Sequence, residues 1–188
     1  MPESKGNFIV HGLTGTFPGI GTFHRRGNKT FLRKIRAKPS VPDSDKQSAV
    51  KQRFAQCIKY ARAAIKDPVI KAAYSAAAKP GKSAFNRAFS DAFYPPKINT
   101  VKTDNYQGRP GDSLTVEVID DFKVAAVHIC IHDATFRLIE QGDAVMQVNE
   151  IDWLYVATAV SESPAGTMIT ATATDLPGNI TTHTVKLS

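Results

Sequence analysis

The order of apolar and polar positions changes period twice along this chain. Residues 7 to 36 read as β structure: the runs 21 to 26 and 29 to 36 are β-formers on either side of Gly27-Asn28, a two-residue hairpin signal, with Phe23 and Phe31 as anchors. The glycine-rich stretch 12 to 21 lacks the Lys-Ser/Thr ending of a phosphate cradle and leads into a strand, so it reads as tight turns. From Ser44 the period becomes helical. Ser44 with Gln47 three residues on marks the start of a helix expected to reach about Lys66. Val50, Phe54, Cys57, Ile58, Ala61 and Ile65 form its expected buried stripe, with Lys59, Arg62 and Lys66 on the opposite face. Asp67-Pro68 opens a second, Ala-rich helix that Pro80-Gly81 ends. Ser83 opens a third, in which Phe85, Phe89 and Phe93 recur every four residues. Their alanine neighbours make this aromatic stripe part of a small helical core in preference to a base-stacking platform.

From Lys97 the pattern alternates. Candidate strands are 98 to 105, 113 to 120, 124 to 133, 136 to 146, 152 to 160, 167 to 174 and 180 to 187, separated by turn signals such as Gly108-Arg109-Pro110-Gly111 and Pro177-Gly178-Asn179. Seven short strands in such a span predict an antiparallel sandwich. The expected fold class is therefore α+β with two domains. Residues 1 to 95 form a β-hairpin and helical domain, and residues 96 to 188 a β-sandwich.

The second half resembles the bacterial immunoglobulin-like domains. The likeness covers residues 97 to 188 and rests on Gly111-Asp112-Ser113-Leu114-Thr115-Val116 and on the run from Thr170 to Asn179, Thr-Ala-Thr-Ala-Thr-Asp-Leu-Pro-Gly-Asn. No inter-sheet cysteine pair is present, which sets it apart from antibody-type domains. This resemblance implies a seven-stranded sandwich that acts as a binding or spacer module, and it names no ligand. The first half is similar to an uncharacterised family of small bacterial proteins, through the hairpin from Phe23 to Arg33 and the helix segment from Gln47 to Phe54. That resemblance implies no activity.

Charge sharpens the division. Residues 1 to 100 carry 19 Lys+Arg against 5 Asp+Glu, and residues 101 to 188 carry 5 against 12. The overall charge of +7 thus conceals opposite halves, a segregation that calls for a partner in the same chain, a neighbouring copy or a polyanion. The two cysteines, Cys57 and Cys130, fall in different halves and are expected to be reduced thiols. With no long apolar run and no signal-peptide order at the N-terminus, the expectation is a cytoplasmic protein without membrane insertion, signal-independent export remaining open.

Candidate chemistry is sparse. His128, Cys130 and His132 share one strand face, but same-face neighbours stand about 7 Å apart, so one metal ion takes at most two of them. No nucleophile set, acid/base pair or cofactor loop is evident, and the expectation is no enzyme, no catalytic residue, no cofactor and no metal. If the sandwich strands alternate direction, the turns bearing Asp120, Asp121, Glu150, Asp152 and Asp175 emerge together toward the basic domain. Asp120, Asp121 and Asp175 offer hard oxygen ligands for Ca²⁺, but without a Ca²⁺-loop motif local charge pairing is preferred.

The leading functional expectation is a non-enzymatic structural protein that self-associates head to tail, basic domain to acidic sandwich, as a homo-oligomer or filament. Phe8, Ile9 and Val10 are the candidate self-association strand, able to add to a neighbour's sheet edge or to serve as a first strand of their own domain. The alternative is a nucleic-acid-binding protein whose basic surface, Arg25, Arg26, Lys29, Arg33, Lys59, Arg62 and Lys66, neutralises phosphates.

Overall fold

A computed structural model describes residue 10 and residues 12–27, 29–35 and 42–188. The chain divides into two compact units, residues 1–45 and residues 46–188.

The first unit holds a three-stranded antiparallel sheet, β1 (Gly15–Phe17), β2 (Gly21–Arg26) and β3 (Lys29–Arg33), in the order β1-β2-β3. Arg26 pairs with Lys29, so the β2-β3 connection is two residues long, and Gly27 supplies its left-handed backbone at φ 61°. His24 stacks on Phe31 at 5.6 Å across the ladder, and Phe17 meets Phe23 edge-on at 5.3 Å. The glycine-rich stretch supplies β1 as well as the turn that leads into β2. The expected strand at 29 to 36 ends at Arg33.

The second unit opens with three helices. They are α1 (Asp45–Ala64), which starts one residue inside the division, α2 (Pro68–Ala76) and α3 (Ala84–Phe93). Asp67 caps α2 by accepting from Val69 N and Ile70 N, with Pro68 in the first turn where its missing N–H costs nothing. Ser83 caps α3 through Asn86 N. The expected stripe on α1 is buried only in the C-terminal half. Cys57 and Ala61 are buried and Ile58 and Ile65 half-buried, whereas Val50 and Phe54 are exposed. Of these two, Phe54 meets the Phe89 ring of α3 at 4.7 Å along one edge only.

Eight strands follow: β4 (Lys97–Lys102), β5 (Ser113–Ile119), β6 (Val124–His132), β7 (Leu138–Asp143), β8 (Val145–Met146), β9 (Asp152–Val156), β10 (Met168–Asp175) and β11 (Ile180–Lys186). They form two antiparallel four-stranded sheets, β4-β5-β9-β8 and β11-β10-β6-β7. The expected single strand over 136 to 146 is thus two strands in different sheets. Ala144 makes the crossing: it is buried, its N–H still bonds to Val127 O of β6, and the next residue, Val145, already pairs with Leu154 of β9. Gly142, just before the crossing, lies where an added Cβ would stand 3.0 Å from the Tyr155 ring.

Alternation supplies the core between the sheets. Leu114, Val116 and Val118 of β5 meet Val127, Ile129 and Ile131 of β6 and Ile169, Ala171 and Ala173 of β10, with Trp153 and Tyr155 of β9. A second, smaller cluster of Ala61, Ala64, Tyr74 and Ala88 lies among the helices, and Phe122 from the β5-β6 loop packs against it. This places the structural division at residue 45/46, where the sequence pattern placed it at 95/96. Four mostly small residues close too little apolar surface to stand alone, and the helices use the sheets to complete their core.

Candidate functional site at the helix and sheet junction

Two inward-facing rows run along the sheets and both end in an aspartate. On β5 the buried series Leu114, Val116, Val118 continues to Asp120, and on β10 the series Ile169, Ala171, Ala173 ends at Asp175. The β10 alternation runs uninterrupted to Asp175, while a bulge at the start of β6 shifts the pairing from Thr174 with Ala126 to Asp175 with Val124. Helix α3 presents Asp91 to the same place, beside Ala88 and Ala92 on its buried face. One carboxylate oxygen from each of Asp91, Asp120 and Asp175 lies within 4.8 Å of the other two.

The surroundings are polar but unevenly so. Asp91 is wholly buried, and its Oδ2 accepts from the Tyr74 hydroxyl at 2.5 Å, which in turn lies 2.9 Å from the Tyr60 hydroxyl. Asp175 accepts from Asn179 N and Asn179 Nδ2, and that side-chain amide also donates to Asp91 O and Ala92 O. Asp120 Oδ2 accepts from Phe122 N. By contrast, Asp91 Oδ1 and Asp120 Oδ1 are buried and have no hydrogen-bond partner. Burial pushes the Asp91 carboxyl up to about 7, the Tyr74 bond opposing and the charges of Asp120 and Asp175 adding to the rise. Burial also raises Asp175, against the pull of its Asn179 bonds. The Tyr74 hydroxyl is raised by burial and by donating to Asp91.

Of the acidic residues expected at this junction, Asp120 and Asp175 converge. Asp121 instead contacts Arg87 at 2.8 Å and Ser90 Oγ at 3.0 Å. Glu150 is exposed and shares a groove with Asp120, while Asp152 is held within its own turn by Asn149. Asp91 was not anticipated. Its signal in the sequence is a carboxylate three residues after Ala88 and next to Ala92, on the face that the α3 pattern assigns to the core.

The remaining candidates stay apart. His128 bonds Asp143 at 2.7 Å and Cys130 approaches Gln141, so the His-Cys-His face gathers no shared site. Both cysteines are free thiols. Lys59, Arg62 and Lys66 are exposed on and just after α1, and Arg25, Arg26, Lys29 and Arg33 are exposed on the β2-β3 hairpin. Phe8 and Ile9 lie outside the described residues. Val10 sits in a turn closed by Leu13 N to Val10 O, and Gly12 N bonds Thr30 Oγ1. Among the described residues no helix is long and apolar enough to cross a membrane.

No protein-family model matches the chain, and no curated protein is similar to it. Among solved structures it is similar to an engineered protein in crystal form, with a TM-score of 0.35 and 15% identity over 56% of this chain. The chain spans 26% of that protein's length, and the likeness is too slight to bear on fold or function.

Proposed function

We propose that this protein is a non-enzymatic structural protein that self-associates head to tail, the basic helical surface of one copy against the acidic sheets of the next. The observation that carries this reading is unlike charge left at the surface after folding. Residues 46 to 95 carry ten Lys+Arg and two Asp+Glu, and residues 96 to 188 carry six and twelve. Among the described residues, the ion pair that joins helices to sheets is Arg87 with Asp121. Lys59, Arg62, Lys66, Lys71, Lys79 and Lys82 remain exposed on the helical side, and Asp104, Asp143, Glu150 and Glu162 on the sheets. A contact between unlike surfaces is heterologous, and its repetition gives a ring or an open filament.

The sheet orders β4-β5-β9-β8 and β11-β10-β6-β7 support reading the strands as an immunoglobulin-like sandwich serving as the binding module. Association by exposed charge is screened over a Debye length of about 8 Å at physiological ionic strength. Light scattering should therefore give a mass that grows with concentration at low salt and falls toward that of one chain at high salt. A single-chain mass at every concentration would remove the proposal.

A second reading is nucleic-acid binding. It is favoured by the β2-β3 hairpin, which places Arg25, Arg26, Lys29 and Arg33 in exposed positions within nine residues. Duplex DNA titrated into the full chain at several salt concentrations separates the two: binding with log affinity linear in log salt supports it, and no binding at low salt rejects it.

A further inference from the structure

We propose that Asp91, Asp120 and Asp175 bind a hard divalent cation at the seam between the helices and the two sheets. Three observations carry this. The first is span. Two oxygens on opposite sides of a Ca²⁺ ion, each about 2.4 Å from it, stand about 4.8 Å apart, so oxygens no farther apart than that fit one coordination sphere. The three carboxylate oxygens meet this condition pairwise.

The second is the state of the oxygens. Asp91 is wholly buried, yet its Oδ1 and the buried Oδ1 of Asp120 receive no bond from any protein donor, and the two carboxyls stand close enough that only a shared proton or a cation can bridge them. A buried carboxylate oxygen without a donor is costly, and native structures give such atoms a partner, water or an ion. Arg87, on the same helix as Asp91, pairs with Asp121.

The third is access and chemistry. Asp120 also lines a groove of about 220 Å³ with Phe122, Lys123, Glu150 and Ile151, so one of the three aspartates borders solvent-accessible space. The donors are all carboxylate oxygens, with no histidine or cysteine, a set that suits Ca²⁺ or Mg²⁺ and not Zn²⁺. Three aspartates leave several coordination positions for water, and the larger, geometrically tolerant Ca²⁺ is the better fit to ligands from three separate elements. The ion would fasten α3 to both sheets, a role independent of whether copies associate.

The test is thermal melting of the chelator-treated full chain with CaCl₂, with MgCl₂, and with NaCl at matched ionic strength. The expected result is a saturable rise in Tm with CaCl₂ that NaCl does not reproduce. Asp175→Asn and Asp120→Asn should lose it, and Asp121→Asn, outside the cluster, should keep it. Should the cluster variants fail to fold, Tb³⁺ provides a second measurement in the wild-type background. Because the Tyr74 hydroxyl bonds Asp91 and lies next to that of Tyr60, tyrosine-sensitised Tb³⁺ emission should appear, be displaced by Ca²⁺, and fall strongly in the Tyr60→Phe/Tyr74→Phe double variant. A melting point that moves with pH but not with Ca²⁺ would mean that Asp91 and Asp120 share a proton and would overturn the proposal. So would a Ca²⁺ response that survives Asp175→Asn, or Tb³⁺ emission indifferent to the tyrosines.

Discussion

Tyr74 on α2 donates its hydroxyl hydrogen to Asp91 on α3 across 2.5 Å, and both side chains are wholly buried. The bond joins two short helices at the point where they reach the sheets. A hydroxyl aimed at a buried carboxylate is among the stronger hydrogen bonds available to a neutral donor. Removing it should cost about 1–3 kcal/mol, since Tyr74→Phe leaves a buried acceptor without its donor. Urea unfolding would measure this. The half-buried Tyr60, whose hydroxyl bonds to that of Tyr74, should lose less on Tyr60→Phe, about 1 kcal/mol.

Three carboxylates facing one another in a buried place repel. In the presence of chelator at neutral pH, Asp91→Asn should therefore raise stability, by more than about 1 kcal/mol. The amide keeps an acceptor for Tyr74 and turns a donor toward the unpartnered oxygen of Asp120. A fall in the urea midpoint for this variant under chelator would mean that the carboxylate charge is compensated by the protein itself.

Acid should destabilise the sheets through two half-buried loop carboxylates. Asp112 accepts from Gln107 N and Arg109 N, and Asp133 from Thr135 N, Thr135 Oγ1 and Arg137 N; both are held below the ordinary carboxylate value, first by these bonds. A depressed pKa contributes stability that is complete above the unfolded value of about 3.9 and is lost as pH falls through the folded one. Denaturation midpoints measured from neutral pH down to pH about 2 should decline over that window, and the double change Asp112→Asn/Asp133→Asn should flatten the decline.

The exposed N-terminal part of α1 should respond differently from the sheet core. Val50→Ala, at an exposed apolar position, should change stability by no more than about 0.5 kcal/mol. Ile129→Ala, in the fully buried layer between the sheets, should cost about 2–5 kcal/mol. Equal losses at the two positions would imply that Val50 is covered in solution, as self-association through the helices would cause.

The sequence by itself determined most of the local structure, because its signals act over a few residues. Gly27 with a two-residue loop fixes the β2-β3 hairpin, Asp67-Pro68 and Ser83 start α2 and α3, and strict alternation from Leu114 to Val118 and from Ile169 to Ala173 selects which side chains enter the core. It also announced that Asp120 and Asp175 leave the sheets at one end. What only the tertiary structure decided was decided by packing between distant residues. Ala144 switches sheets because β7 and β8 have different partners, which no pattern within residues 136 to 146 expresses. The division falls before α1 because Phe122 completes the helical core. Asp91 becomes part of an acidic centre because α3 docks where two inward rows end, and nothing within the helix itself records that the space it faces already holds two carboxylates.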